Sequence, residues 1–292
     1  MRKGKRRPAA VFAFVLILLL SVSAAGAETE RSAVVETWGK GTLPKKTFSY
    51  EFGTGRKYIP YREMRSWICA GEDGLPSYDR EKVKAYVEDL AREYDTAWVD
   101  RVFVSDDGTE YAIPAGINTY GFCINVEKET DSLIYDLTQN PDRRISRRPV
   151  YSQEGMTRDG KDDLCGSYVE VNLSKQEVAC FRNGILIDRT YCVSGNESAG
   201  TPSDEGTFYI YDKQQNTVLH GYNADGTEYN RPVSYWMPYN GGEGLHDAVW
   251  RGEFGGDIYV WGGSHGCINL RLDDAKAVYE NVSIGTPVIV HR

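Results

Sequence analysis

Ser264-His265-Gly266-Cys267-Ile268-Asn269, with His246-Asp247 upstream, is the stretch on which the reading of this chain turns. A cysteine attacks a carbonyl carbon as its thiolate, so it needs a base or a positive charge nearby. Two histidines are at hand. In an extended segment His265 and Cys267 share a face, two residues apart. His246 lies 21 residues before Cys267, on what reads as a separate strand, and approaches across a sheet. Gly266 lets the chain turn tightly before the thiol. That turn makes the amides of Gly266 and Cys267 candidate donors to the oxyanion of a tetrahedral intermediate. Asp247 follows His246 directly, and strand neighbours point to opposite faces. A backbone carbonyl is therefore expected to orient the imidazole in place of that carboxylate.

Outward from this stretch, the period of the sequence is two. Ser167–Leu173, Glu177–Phe181, Ile185–Val193, Thr207–Tyr211, Ser234–Met237, Leu245–Val249, Asp257–Trp261 and Pro287–His291 read as short strands punctuated by Gly and Asn. That rhythm predicts a sandwich or barrel. One helix interrupts it, from Asp273 to Asn281, with Asp273 as its cap and Ala277 and Val278 facing inward. Further upstream the pattern is α+β. Thr47 to Phe52 predicts a strand, and Asp79 caps a helix with Val83, Tyr86, Val87, Leu90, Ala91 and Tyr94 at helical spacing. Val102–Val104 and Tyr111–Ile113 flank the turn residues Asp107-Gly108, and Asn125 opens a second helix. Between the two patterns, Asn140 to Gly160 has no sustained period. Residues 47–150 thus read as an α+β domain and 165–292 as a mostly-β domain, with no fixed-period repeat.

The chain's 292 residues suit two ordinary domains, and a hydrophobic content of 41% permits packed cores. Twenty Tyr and six Trp lean toward β structure. The N-terminus is different in kind. Arg2, Lys3, Lys5, Arg6 and Arg7 precede an apolar run from Ala9 to Val22, followed by Ala25-Gly26-Ala27. This is the three-part layout of a secretory signal over residues 1–27. The other reading is an uncleaved anchor through residues 9–27, a membrane tether, although the apolar run is shorter than the roughly 20 residues a span needs. Either way the bulk of the chain is exported, and residues 28–46 read as a linker. Loss of those five positive charges moves the formal charge from −8 to −13. Nucleic-acid recognition needs a basic face, so it is excluded as a function class.

Six cysteines in an exported protein invite disulfides. Chemistry at Cys267 needs a free thiol, which leaves Cys69, Cys123, Cys165, Cys180 and Cys192 with no connectivity assigned. If Asn183-Gly184 closes a two-residue hairpin, Cys180 and Cys192 fall on opposite faces, which disfavours that pair unless a bulge intervenes. His246, His265 and Cys267 are all zinc-ligand types. No ligand-pair spacing such as C-x-x-C accompanies them, so neither a metal nor an organic cofactor is expected. Tyr235 and Trp236 line a substrate groove or belong to the core, and the groove is favoured; Tyr222 and Tyr229 stay undecided.

His246 with Ser264-His265-Gly266-Cys267-x-Asn269 resembles the signature of the YkuD-type L,D-transpeptidases, bacterial enzymes that cross-link peptidoglycan. Ser194-Gly195-Asn196, Thr201-Pro202…Gly206-Thr207-Phe208 and Gly285-Thr286-Pro287-Val288 resemble flanking pieces of that family, and the likeness spans about Gly166 to His291. Tyr50–Phe52, the Asp79 helix and residues 116–121 are similar to the peptidoglycan-binding-like domain that often precedes YkuD domains in Gram-positive bacteria. The resemblance implies Cys267 as nucleophile and His246 as general acid/base. It implies that His265 orders the loop and holds substrate, that Ser264 supports the histidines, and that Asn269 stands where many members carry Arg near the substrate. Ser203-Asp204-Glu205 is inserted relative to the family and reads as a longer surface loop. The implied reaction is ping-pong acyl transfer between peptidoglycan stem peptides, giving 3→3 cross-links outside the cytoplasm, at the wall or membrane. An L,D-carboxypeptidase on the same residues and a non-enzymatic wall-binding module are the alternatives.

Overall fold

The computed structural model describes residues 47–71, 75–139, 144–222 and 226–292. The expected signal or anchor and the linker lie outside them. Alternation in the first strand, β1 (Thr47–Phe52), sends Phe48, Tyr50 and Phe52 into one core. β1 turns at Gly53, whose φ is +69°, into antiparallel β2 (Gly55–Ile59). Then come α1 (Tyr61–Ser66), β3 (Ile68–Ala70), β4 (Pro76–Tyr78) and α2 (Arg80–Tyr94). The Asp79 carboxylate accepts from the amides of Glu81 and Lys82, so the expected cap is present. The expected hairpin is β5 (Arg101–Val104) with β6 (Glu110–Ile113). β7 (Cys123–Ile124) precedes α3 (Val126–Gln139), where the Asn125 side chain accepts from the Lys128 amide.

The irregular stretch 140–160 carries two strands that the sequence reading did not resolve. β8 (Arg144–Arg147) lies parallel to β1, and β9 (Tyr151–Gln153) pairs with β7. Strands of four and three residues, the first of them half Arg, are too short to show a period. The chain still belongs to this unit at Arg158, which donates to the Tyr94 carbonyl, and at Gly160, which donates to that of Phe52.

The C-terminal unit is a two-sheet sandwich. The first sheet comprises β10 (Tyr168–Asn172), β11 (Glu177–Arg182), β12 (Ile185–Tyr191), β13 (Gly206–Tyr209) and β18 (Pro287–His291), in the order β12-β11-β10-β18-β13. The second has β14 (Gln214–Tyr222), β15 (Glu228–Asn240), β16 (Glu243–Asp247) and β17 (Ile268–Leu270), in that order. Val169, Val171, Val178 and Val288 from one sheet meet Met237, Leu245, Ile268 and Leu270 from the other. α4 (Ile258–Gly262) and α5 (Leu272–Asn281) complete the unit. β10 is buried on both faces because Glu170 and Asn172 turn toward the N-terminal unit, where they bond Ser105 and Tyr111.

Three expectations are corrected here. Asp257–Trp261, read as a strand, is α4. Gly255 and Gly256, with φ of +89° and +57°, break the extended chain, and the carbonyls of Tyr259 and Val260 accept from the amides of Glu197 and Ser198. Tertiary docking overrides the β-propensity of Ile-Tyr-Val-Trp. The last helix starts at Leu272 with Arg271 at its N-cap, and Asp273 makes no cap. A bulge does occur in the 183–184 hairpin: Cys180 faces Asp188, and the register shifts between Cys180 and Phe181. Cys192 is then an even number of residues from that partner, and both sulfurs enter the same core. The two cysteines are four residues apart along the ladder, about 13 Å at strand rise, too far to bridge. All six cysteines are free thiols.

Candidate active site

β16 and β17 run side by side in parallel, and His246 sits opposite Asn269. Cys267 immediately precedes β17, two residues before Asn269, so parity sends both side chains to the His246 side of the sheet. His246, Cys267, Ser264, His265 and Asn269 all open on one cavity of about 150 Å³. The turn leading into β17 is built by hydrogen bonds. Ser264 Oγ donates to the Cys267 carbonyl at 2.6 Å and accepts from the Gly266 amide at 3.1 Å. Gly266 has a φ of +116°, and a Cβ there would lie 2.6 Å from Glu243 Oε1. The positive φ favours glycine here, and the Glu243 side chain would have to move for any larger residue.

Of the inserted Ser203-Asp204-Glu205, Asp204 and Glu205 are exposed, as expected of a surface loop, but Ser203 is not. Ser203 is buried; its Oγ donates to the Gly266 carbonyl at 2.5 Å and accepts from the Gly195 amide at 3.0 Å. Asp204 N donates to Glu243. The insertion therefore clamps the turn that carries Cys267.

His246 is buried, and its Nδ1 donates to the Asp247 carbonyl at 2.9 Å. The expectation of a carbonyl orienter matches this contact. The Asp247 carboxylate faces the other way and accepts from the amides of Ser234 and Tyr235. With the proton on Nδ1, the lone pair is on Nε2. Burial holds the imidazole below its ordinary pKa; the Asp247 carbonyl and charge oppose this, and the Arg251 charge adds to it. The Cys267 thiol rests 3.6 Å from the Gly242 carbonyl. Burial pushes it up to about 11; the amides of Gly244 and of Cys267 itself pull down, and the Glu243 charge pushes up. Among the described residues no hydrogen bond joins this thiol to the His246 ring. At neutral pH the site therefore holds a thiol and a neutral imidazole rather than a preformed ion pair.

Other expected site residues fall differently. The Gly266 amide is committed to Ser264 Oγ, so the amides facing the sulfur are those of Gly244 and Cys267. Tyr235 packs against Tyr279 and the core. Trp236 pairs with His246 in register and tilts its ring 5.8 Å from the imidazole. It props the histidine instead of lining the cavity. His265 is exposed and stacks on Tyr229 with ring centroids 5.0 Å apart. The cavity wall is completed by Leu219, Tyr229, Arg231, Trp250 and Arg251, none of which was picked out as a site residue. Leu219, Tyr229 and Arg231 belong to the β14–β15 hairpin. The signal for that hairpin was weak, because its first strand, Gln-Gln-Asn-Thr-Val-Leu-His-Gly-Tyr, shows little alternation. No group of metal-ligating side chains is present among the described residues.

Comparison with known proteins agrees with this geometry. The L,D-transpeptidase catalytic domain family, YkuD, matches residues 166–290, and a peptidoglycan binding domain matches residues 70–146. Among solved structures, the avibactam carbamoyl enzyme of Ldtfm is 32% identical with a TM-score of 0.72, over 91% of this chain and 99% of that one. A cysteine-to-serine mutant of the Enterococcus faecium L,D-transpeptidase is likewise 32% identical at a TM-score of 0.72, over 90% of this chain and 100% of that one. Curated proteins give no match. The chain belongs to the L,D-transpeptidase family, with a YkuD catalytic domain behind a peptidoglycan-binding domain. It is thus an acyltransferase whose substrate is peptidoglycan.

Proposed function

We propose that this enzyme forms 3→3 cross-links between stem peptides through a thioester on Cys267, with His246 as general base and then general acid. One observation carries the reading: thiol and imidazole open on one cavity from adjacent parallel strands, with the basic Nε2 of His246 set by the Asp247 carbonyl. The thiol pKa of about 11 makes proton transfer part of the attack. As Sγ bonds to the carbonyl carbon of the third stem residue, its proton passes to His246 Nε2. The amides of Gly244 and Cys267, which face the sulfur, are the nearest donors for the oxyanion. Collapse breaks the C–N bond to the terminal D-Ala, whose amine leaves with the proton from His246. A side-chain amine of a second stem then attacks the thioester, His246 takes its excess proton, and the sulfur leaves and recovers that proton.

Export past the membrane, with residues 1–27 as signal or residues 9–27 as tether, and a Gram-positive host belong to the same reading. They are supported by the layout of the N-terminus and by the wall substrate. The test is incubation of the full exported chain with purified disaccharide-tetrapeptides. Dimers joined between third residues are expected. Trimmed tripeptides without dimers indicate an L,D-carboxypeptidase, and unchanged muropeptides a binding module.

A further inference from the structure

Arg251 is half-buried in the cavity wall and has no ion-pair partner among the described residues. Its Nη1 donates to the Gly262 carbonyl at 2.7 Å. Its Nε and Nη2 lie 2.7 and 3.1 Å from the Asn269 amide, whose other end lies 3.0 Å from His246 Nε2. A guanidinium only donates, so the group facing it must accept. The Asn269 oxygen therefore faces Arg251, and its NH2 faces the ring. An NH2 also only donates, so Nε2 must be a bare acceptor. The proton is left on Nδ1, where the Asp247 carbonyl accepts it.

We propose that Arg251 is a positioning residue that, acting through the Asn269 amide, holds His246 neutral with its lone pair on Nε2. The proposal rests on the reading of His246 as the base. Arg251 reaches no reacting atom; it sets the state of the group that does. An imidazolium would place an N–H against the Asn269 NH2, and the amide is not free to turn while Arg251 grips its oxygen. In the resting site Asn269 caps the basic nitrogen, and the incoming thiol proton takes over that contact.

The other charged groups around the ring leave this logic intact. The Asp247 carboxylate is spent on the amides of Ser234 and Tyr235. Arg231 lies over the Trp250 ring at 5.7 Å, and His265 is held against Tyr229. Trp236 and Trp250 flank the imidazole without charge. Cys267 keeps its proton at neutral pH. The lowered pKa of His246, to which the Arg251 charge contributes after burial, points the same way.

The test follows the His246 imidazole by nitrogen NMR in the full chain, alongside the pH profile of acylation by a carbapenem. The protein has four histidines, so His246 is assigned by its loss in His246→Gln. In Arg251→Met the amide is free to turn and accept from an imidazolium. Its His246 midpoint is expected to rise by about one pH unit, and acylation on the acid side to fall about tenfold at fixed pH. Asn269→Asp offers the ring a carboxylate and is expected to raise the midpoint further. Arg251→Lys, which keeps a donor toward Asn269, restores most of the wild-type midpoint. Midpoints of Arg251→Met and Asn269→Asp that overlay the wild type overturn the proposal; should the first variant fail to fold, the near-isosteric Asn269→Asp decides alone. A shifted midpoint in a protein that no carbapenem acylates at any pH leaves the relay standing and removes the catalytic reading instead.

Discussion

Both units of the molecule bury polar groups, and they do so in opposite ways. In the N-terminal unit Glu129 is fully buried, and every lone pair is engaged. Tyr50 donates to it at 2.5 Å, the Val150 amide at 2.7 Å, and Arg147 through Nη1 and Nη2 at 2.9 Å each. Asp136 holds Arg147 in turn at 2.6 Å. Around Cys267 the polar groups open on a cavity instead: the thiol has one long contact, to the Gly242 carbonyl, and His246 Nε2 meets only the Asn269 amide. A saturated network rigidifies a fold; an unsaturated one beside a cavity is where substrate atoms complete the set. The contrast separates structural charge from chemical charge within one chain.

The largest effect should come from the chemical side. Cys267→Ala is expected to reduce acyl transfer to background in a muropeptide assay while thermal unfolding stays where it was. Next comes the structural side. Glu129→Ala leaves half-buried Arg147 with Asp136 as its remaining carboxylate partner and Tyr50 without its acceptor, which costs about 3 kcal/mol. Urea unfolding followed by tryptophan fluorescence should show it.

A third, smaller effect lies at Glu243, where the contrast blurs. Burial raises its carboxyl to about 7, above the ordinary 4.5; the nearby Asp204 charge adds to this and hydrogen bonds from the Asp204 amide and Asn240 oppose it. A carboxyl raised by folding contributes stability that is complete below 4.5 and is lost as pH climbs through about 7. Glu243→Gln should flatten that fall between pH 4.5 and about 7. It should also lower the pH at which Cys267 is alkylated by iodoacetamide, because a negative charge beside the thiol is gone. The smallest effect distinguishes two tyrosines. Tyr229→Ala removes the stack on His265, worth about 0.5–1.5 kcal/mol, and should lower kcat/KM a few-fold. Tyr235→Phe should change it within error, since that ring faces Tyr279 and the core.

How much of this was legible beforehand follows the same division. Two of the three N-terminal helices could be read because Asp79 and Asn125 are local caps and the apolar stripes repeat at helical spacing; Tyr61–Ser66, short and without a side-chain cap, was not. The proposed pair could be picked out because Ser264 to Asn269 is contiguous, while the choice of His246 over His265 came from the family resemblance and not from strand parity. Side chains brought in by long-range packing were not legible. Arg231 and Tyr229 reach the cavity on a hairpin with little alternation. Arg251 matters only through what Asn269 and Gly262 present to it. Ser203 looked like loop length until its hydroxyl was seen beneath Gly266. A bulge of one residue undid the parity argument for Cys180 and Cys192, because parity survives only in an unbroken ladder.

The central claim is that one sulfur of the six cysteines receives the acyl group. Intact-mass spectrometry after exposure of the folded protein to a carbapenem, followed by peptide mapping, tests it directly. A single adduct on the peptide that contains Cys267 is the expected result. A folded protein that gains no mass, or one that carries the adduct on another residue, would contradict the account.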